Sequence, residues 1–484
     1  MHKEYQSVGF VNNFFWRFME RCGAQAVTFI VSIVLARLLQ PAVYGTVALI
    51  TVITSILQVF LDGGFSTALI QKKDADDLDF SSVFYFNIVF GLVLYTLLFI
   101  SSPWIATFYK MPSLIPVIRV LGLTLIIFSL KSVQQAYVSR NMMFKKFFFA
   151  TLGGTIGAAI IGIIMAHEGY GVWALVAQNL FNMTVDTIIL WITVKWRPIR
   201  SFSLVRLKNL LKFGWKMLAS GLLDVTYTNL RQLIIGKMYT AADLAFYNKG
   251  HQFPSILVTN INSSIDSVLL PVMANEQDNV YTVRAMTRRA IKTSTYLIMP
   301  MMMGLAVCAT PLVDLILTAK WLPSVPYLRI FCFTFSFYTI HTANLNAIKA
   351  LGRSDLFLKL EIIKKVMGLA VLLATMWWGP LIMAYSLLFT SIMSQIINSW
   401  PNKALLGYRY IEQLKDMLPQ IGLSCLMGAI VYSVSFFELS DIVTLLIQIP
   451  LGVIVYVVGS KAFHIDSYEY VVSILKQYLP TKNK

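Results

Sequence analysis

The sequence predicts an all-α membrane protein that crosses the bilayer about fourteen times, and three observations support that prediction. Hydrophobic residues make up 57% of the 484 residues and charged residues only 13%, whereas soluble domains carry about 25% charged residues. The apolar residues form runs long enough to cross the hydrocarbon core, which takes about 20 residues of helix. Most Lys and Arg residues lie between these runs. This composition suits a protein whose solvent is lipid.

Fourteen apolar segments are the candidate spans. Pro and Gly residues, which end helices and form turns, separate most of them. The connections are short, so no soluble domain is predicted between spans. The predicted spans are 12–38, 44–70, 81–102, 114–138, 147–166, 170–194, 213–238, 246–273, 291–310, 325–348, 358–378, 380–401, 416–437 and 441–460.

The distribution of positive charge predicts the orientation. With the N-terminus inside, the cytoplasmic connections hold most of the Lys and Arg residues, whereas the opposite loops hold only Lys110 and Lys320. Because short cytoplasmic loops are enriched in basic residues, we expect an inner-membrane protein with both termini in the cytoplasm. The net charge of +17 is therefore interpreted as a sign of topology, and no nucleic-acid partner is predicted.

Two similarities indicate an internal duplication of six helices. Trp16-Arg17 in the first span corresponds to Trp215-Lys216 in the seventh. A polar helical face with the spacing i, i+4, i+7, i+11 in the second span recurs in the eighth. Six is an even number, so the copies would be parallel repeats; chance similarity is the alternative. The paired polar residues are Thr51 and Ser255, Ser55 and Thr259, Gln58 and Asn262, and Asp62 and Asp266.

The duplication predicts five regions along the chain. Residues 1–194 form an N-terminal six-helix bundle, and 195–212 form a basic cytoplasmic linker. Residues 213–405 form a second six-helix bundle, 406–460 hold spans 13 and 14, and 461–484 form a cytoplasmic tail. The last two spans carry no charge in their interiors, so we expect them to contact lipid and other helices rather than a watery cavity.

Basic residues within the spans predict a cation-lined cavity between the two halves. Ionisable residues at membrane depth are costly and usually face a cavity or a partner. Long basic side chains near a span end can instead extend to the interface, which is the alternative for several of them. The candidate substrate-binding cations are Arg17, Arg21, Lys131, Lys216 and Arg231.

Carboxylates and neutral polar residues complete the predicted site. The carboxylates of Glu20, Asp224 and Asp266 are candidates for coupling transport to H⁺ or Na⁺. One face of the eighth span carries a polar stripe, which suits a cavity lining, although shorter polar patches serve as helix contacts. The residues of this stripe are Asn248, Gln252, Ser255, Thr259 and Ser263.

The sequence contains no motif of an ATP-driven or metal-dependent enzyme. We find no GxxxxGK[ST], HExxH or CxxC pattern, and the four Cys residues lie in apolar runs as small core residues. No catalytic residue, metal ligand or cofactor is predicted, and we do not expect an enzyme. Repeats and buried charges favour a secondary transporter.

Four segments carry a family resemblance across the chain. They are LARLLQPAVYGTVAL (35–49), DGGFSTALIQ (62–71), ADLAFYNKGHQFPSI (242–256) and PVMANEQDN (271–279). The chain resembles Wzx-type polysaccharide flippases of the multidrug/oligosaccharidyl-lipid/polysaccharide exporter superfamily, in the branch that includes the colanic acid exporter. Gln40 and Ala245 stand where the pattern usually has glycine. These motifs are structural turns, so they leave the substrate contacts unassigned.

The resemblance implies a MATE-like fold of two six-helix bundles with two extra C-terminal helices. It also implies movement of undecaprenyl-pyrophosphate-linked oligosaccharide from the cytoplasmic to the periplasmic leaflet by alternating access, in O-antigen, capsule or exopolysaccharide biosynthesis. The expected partners are this substrate, membrane lipid, and a polysaccharide polymerase and chain-length regulator. The alternatives are a cation-coupled multidrug antiporter and a membrane enzyme of polysaccharide assembly.

Overall fold

A computed structural model of the protein describes residues 23–478. Helices account for nearly all of this range, and it contains no β-strand. Ten helices in the range are long and apolar enough to cross a membrane. The predicted all-α polytopic fold is thereby confirmed. The count of fourteen spans is consistent with the structure but stays a prediction.

The chain divides into two compact units, Met1–Ala245 and Phe246–Lys484. The helices described in the first unit are α1 (Gly23–Leu38), α2 (Pro41–Asp62), α3 (Phe65–Gln71), α4 (Asp77–Phe108), α5 (Leu114–Leu121), α6 (Leu123–Arg140), α7 (Phe144–His167), α8 (Val172–Thr193) and α9 (Leu204–Met238). The next helix, α10 (Ala241–Asn275), begins at the end of this unit. By its contacts α9 belongs to the first unit, whereas the sequence placed it at the start of the second bundle.

The second unit continues with helices of similar length. They are α11 (Val280–Val307), α12 (Ala309–Leu317), α13 (Val325–Ser336), α14 (Tyr338–Ala350), α15 (Ser354–Thr375), α16 (Pro380–Leu406), α17 (Tyr410–Ser433), α18 (Asp441–Ala462) and α19 (Asp466–Tyr478). Two short 3₁₀ helices cover Ala319–Ser324 and Val434–Phe437.

Four predicted spans are interrupted in the structure, and one of them is the span at 291–310, which is broken at Cys308 between α11 and α12. The span predicted at 44–70 is divided into α2 and α3 by Gly63 and Gly64, both in the left-handed region with φ of +55° and +73°. The span at 114–138 is broken at Gly122, and the span at 325–348 is broken at Phe337. A side chain at Gly64 would also collide with the backbone, because its Cβ would lie 2.3 Å from the carbonyl oxygen of Gly214 in α9.

Hydrogen bonds fix the predicted cytoplasmic linker onto the start of α4. The backbone N–H of Ile199 donates to Oγ of Ser81 at 2.9 Å, and that of Ser203 donates to Oγ of Ser82 at 3.0 Å. The indole N–H of Trp196 donates to Asp77 at 3.1 Å. These bonds hold the chain up to residue 203. Residues 204–212 of the predicted linker form the first turns of α9.

A capping box begins α4 in the same region. The backbone N–H of Asp79 donates to Oδ1 of Asp76 at 3.0 Å, and the Asp79 carboxylate accepts from the backbone N–H of Asp76 at 3.2 Å. The first of these bonds, with Arg206 nearby at 3.4 Å, lowers the pKa of Asp76 below its ordinary value. Negative charge at a helix N-terminus stabilises the helix, so these carboxylates stabilise the start of α4.

In the second unit, a buried carboxylate joins α11 to α17. Nε and Nη2 of Arg288 both donate to the Asp416 carboxylate at 2.6 Å, and the Tyr408 hydroxyl donates to it at 2.7 Å. The Asp416 side chain is only 6% exposed. A bidentate guanidinium pair of this kind is stronger than a neutral hydrogen bond.

We expect Asp416→Asn to lower the thermal unfolding temperature of the purified protein clearly. Three hydrogen bonds to a buried charge would be weakened or lost, at a cost of about 2–3 kcal/mol. The matched control is Asp355→Asn, because Arg353 also donates two bonds to Asp355, at 2.9 and 2.8 Å, but these side chains are 46% and 63% exposed. Exposed pairs contribute little. Equal shifts for the two variants would contradict this account of Asp416.

Candidate functional site

The first unit encloses a polar cavity of about 450 Å³, within the range of about 300–1,000 Å³ that is usual for ligand sites. Most of the described residues that line it are polar, and none of them is charged. Its lining consists of Thr28, Ser32, Leu35, Tyr44, Val47, Ala48, Thr51, Val52, Ser55, Thr155, Ala158, Leu175, Gln178, Asn179, Asn182, Asn229 and Gln232.

Five helices supply this lining, and helical spacing aligns the polar residues of each one. Thr28 and Ser32 of α1 are four residues apart, as are Thr51 and Ser55 of α2. Residues four apart lie on the same helical face. α9 contributes Asn229 and Gln232, and α7 and α8 complete the wall. The polar face of the second span that the sequence analysis found by duplication therefore faces this cavity at Thr51 and Ser55.

The hydroxyl groups of the lining donate mainly to their own helices. Thr51 donates to the carbonyl of Val47 at 2.8 Å, and Ser55 to that of Val52 at 2.7 Å. Thr155 of α7 does the same to Thr151 at 2.7 Å. Such back-bonding satisfies the donor and leaves oxygen lone pairs as acceptors. This part of the wall therefore offers acceptors to a ligand.

The amide groups of the lining lie on α8 and α9. Asn179 donates to the carbonyl of Leu175 at 2.9 Å, and Gln232 donates to Oδ1 of Asn229 at 3.1 Å. The side chains of Gln178 and Asn182, one helical turn apart, make no hydrogen bond within the described part of the chain. An amide both donates and accepts, so these two side chains offer a ligand both kinds of bond.

Glycines of α7 make room for the amides of α8. At Gly154 an added Cβ would lie 2.7 Å from Oδ1 of Asn182, and at Gly162 it would lie 3.2 Å from Cβ of Gln178. Small residues let membrane helices approach closely. The glycine face of α7 therefore positions α8, and with it the amide wall.

The predicted charged residues that the structure describes lie outside this cavity lining. Arg17, Glu20 and Arg21 fall outside the described residues. The ammonium group of Lys131 pairs with the Asp186 carboxylate, and both side chains are nearly buried, at 13% and 10% exposed. Of the remaining predicted charged residues, Arg231 is buried, Asp266 is half-buried, and Lys216 and Asp224 are exposed. None of the described ones lines the polar cavity, and their roles in substrate binding or ion coupling stay predictions.

The predicted stripe of α10 occupies the less buried face of that helix. Asn248, Gln252 and Ser255 are half-buried, and Thr259 and Ser263 are exposed. Its role as a cavity lining stays a prediction.

Sequence reasoning missed the amides of α8 and also Lys249, which is 6% exposed. Lys249 donates to Gln252 at 3.1 Å and lies 5.7 Å from the ring of Trp321. For the amides, the signal was the four-residue spacing of Gln178 and Asn182 within the sixth predicted span.

Comparison with known proteins shows the family and several relatives of this chain. Residues 34–326 match the model of a family described as polysaccharide biosynthesis protein. The chain belongs to this polysaccharide biosynthesis family. It is 25% identical to the teichuronic acid biosynthesis protein TuaB of Bacillus subtilis strain 168, over 83% of this chain and 85% of the relative. It is 22% identical to the lipopolysaccharide biosynthesis protein WzxC of Escherichia coli K12, over 82% and 83%.

Solved structures show that this chain shares its fold with a lipid II flippase and with a multidrug transporter. The lipid II flippase MurJ, in an inward closed conformation, aligns with a TM-score of 0.76 at 16% identity, over 93% of this chain and 99% of MurJ. An inward-facing multidrug MATE transporter of the MOP superfamily aligns with a TM-score of 0.61 at 16% identity, over 79% and 94%. The predicted resemblance to polysaccharide biosynthesis proteins and the predicted MATE-like fold are confirmed.

Proposed function

We propose that this protein moves a polyprenyl-pyrophosphate-linked oligosaccharide from the cytoplasmic to the periplasmic leaflet, for O-antigen, capsule or exopolysaccharide biosynthesis. The observation that carries the proposal is a polar cavity of about 450 Å³, lined by α1 and α9 and by α2, α7 and α8, which are long and apolar enough to cross a membrane. Burying unsatisfied polar groups in hydrocarbon is costly. A lining of amides and hydroxyls therefore suits a hydrated cargo such as a glycan.

The names of the relatives support the same cargo. Teichuronic acid and lipopolysaccharide biosynthesis both appear among them, and the fold is that of the lipid II flippase. The glycan and the pyrophosphate would cross within the protein while the polyprenyl tail stays in lipid. We infer transport by alternating access rather than catalysis.

The remaining features of the proposal concern location, coupling and partners. We place the protein in the bacterial inner membrane with both termini in the cytoplasm, because the basic connections alternate with the spans. Coupling to H⁺ or Na⁺ would supply the driving force. A polysaccharide polymerase and a chain-length regulator would receive the transported unit on the periplasmic side.

Deletion of the gene in the source bacterium tests the proposal. We expect the lipid-linked oligosaccharide to accumulate facing the cytoplasm and the surface polysaccharide to disappear, both restored by the gene on a plasmid. The side of accumulation is measured with an impermeant glycosidase on right-side-out and inside-out vesicles. Single repeat units facing the periplasm would instead indicate an enzyme of assembly. An unchanged glycan, with drug resistance on overexpression, would indicate a multidrug antiporter.

A further inference from the structure

The amide wall of the first-unit cavity has unused hydrogen-bonding capacity. Gln178 and Asn182 of α8 both line the cavity and are only half-buried. Within the described chain neither side chain makes a hydrogen bond, whereas the side chains of Asn179 and Asn229 each donate to the carbonyl four residues before them, at 2.9 Å. The two remaining amides can therefore donate and accept toward whatever occupies the cavity.

The chemistry of the lining indicates which part of a lipid-linked oligosaccharide the cavity suits. Sugar hydroxyls donate and accept, so they match amides and back-bonded hydroxyls. The apolar members of the lining, such as Leu35, Val52 and Leu175, suit the C–H faces of a sugar ring. A pyrophosphate instead calls for guanidinium or ammonium donors, and the described lining consists of neutral groups.

We propose that the first-unit cavity is a subsite for an uncharged sugar residue, which the side-chain amides of Gln178 and Asn182 recognise by hydrogen bonds to its hydroxyl groups. The inference rests on the proposed function and deepens it, because it assigns the sugar and the pyrophosphate to different places. The glycine face of α7 at Gly154 holds Asn182 in position. The subsite contributes to the choice of glycan, whereas the diphosphate is held outside it.

Binding measurements on the full-length protein in nanodiscs test this assignment. The two probes are undecaprenyl-diphosphate-linked oligosaccharide, extracted from the deletion strain, and undecaprenyl diphosphate without sugar. The variants are Asn182→Leu and Gln178→Leu, with the smaller change Asn182→Ser as a second test at that position. The control is Thr187→Val, on the same helix but outside the lining, where the hydroxyl donates to the Met183 carbonyl at 2.7 Å.

We expect the wild-type protein to bind the glycosylated lipid more tightly than the bare diphosphate. Each amide variant should weaken binding of the glycosylated lipid about 2- to 10-fold, which corresponds to one or two neutral hydrogen bonds. Binding of undecaprenyl diphosphate should stay unchanged in these variants, and Thr187→Val should leave both affinities unchanged.

The other outcomes separate the two proposals. If the wild-type protein binds both lipids equally well, or the amide variants weaken both lipids alike or neither, the sugar subsite is overturned while the flippase proposal stands. If the wild-type protein binds neither lipid, the proposed function itself fails. Each variant is compared only after it elutes as a single species in size-exclusion chromatography, and Asn182→Ser decides the case if the leucine variant aggregates.

Discussion

Gly45→Ala is expected to abolish the stable fold of the first unit, although the change adds a single methyl group. Gly45 lies in α2, where an added Cβ would fall 1.7 Å from the carbonyl oxygen of Ala241 and 2.5 Å from its carbonyl carbon. Side chains can rotate away from such a contact, but these are backbone atoms. Overpacking usually costs about 1–3 kcal/mol of stability and occasionally more. We expect Gly45→Ala to cost about 3 kcal/mol or more.

The measurement is the thermal unfolding temperature of the purified protein, followed by the fraction that stays monodisperse after heating. Gly304→Ala is the matched control, because an added Cβ there meets nothing within 4 Å. In a helix interior that change can even stabilise by up to about 1 kcal/mol. We expect little folded Gly45→Ala protein and normal yields of Gly304→Ala. Similar unfolding temperatures for the two variants would contradict the close approach of α2 and Ala241.

The motif that contains Gly45 carries fold information, and its residues Leu35, Tyr44, Val47 and Ala48 also line the polar cavity. The motif segment 35–49 ends α1 and begins α2, and its glycine permits the contact with Ala241. The second motif, 62–71, holds Gly63 and Gly64 at the turn between α2 and α3. Both motifs are therefore sites of close backbone approach, as the sequence analysis expected of structural turns.

The sequence predicted the positions of the helices well because hydropathy and breakers are local signals. It did not predict the interruptions at Gly122 and Phe337, since apolar residues continue on both sides of them. The internal duplication predicted two of the hydroxyl side chains of the cavity, Thr51 and Ser55. It did not predict the amides of Gln178 and Asn182, because neutral residues within a membrane span are less distinctive than charged ones.

Charged residues show a different limit of sequence reasoning. Lys131 was predicted to bind substrate because an ammonium group at membrane depth is costly. Its partner, Asp186, lies on another helix, 55 positions along the chain. Nothing in the local pattern of α6 reveals a pairing that depends on how α6 and α8 pack.

Lys131→Met is expected to destabilise the protein strongly, by about 3–5 kcal/mol, because it leaves the Asp186 carboxylate buried without its partner. Adding Asp186→Asn should recover most of the loss, since the second change removes the stranded charge with little change in shape. Unfolding temperatures of the single and double variants measure both effects. Lys216→Met is the control, because Lys216 is exposed. A double variant no more stable than Lys131→Met would contradict this account.

Transport by the double variant then decides what Lys131 does. A contacting pair of opposite charges has no net charge, so its attraction for a distant diphosphate is weak compared with that of a lone cation. We therefore expect the double variant to restore surface polysaccharide in the deletion strain along with the fold. A stable double variant that fails to transport would instead show that Lys131 leaves Asp186 during the cycle and contacts the substrate. Normal transport would show that Lys131 is not required to bind the diphosphate. The remaining candidates for the diphosphate site would then be Arg17, Arg21, Lys216 and Arg231.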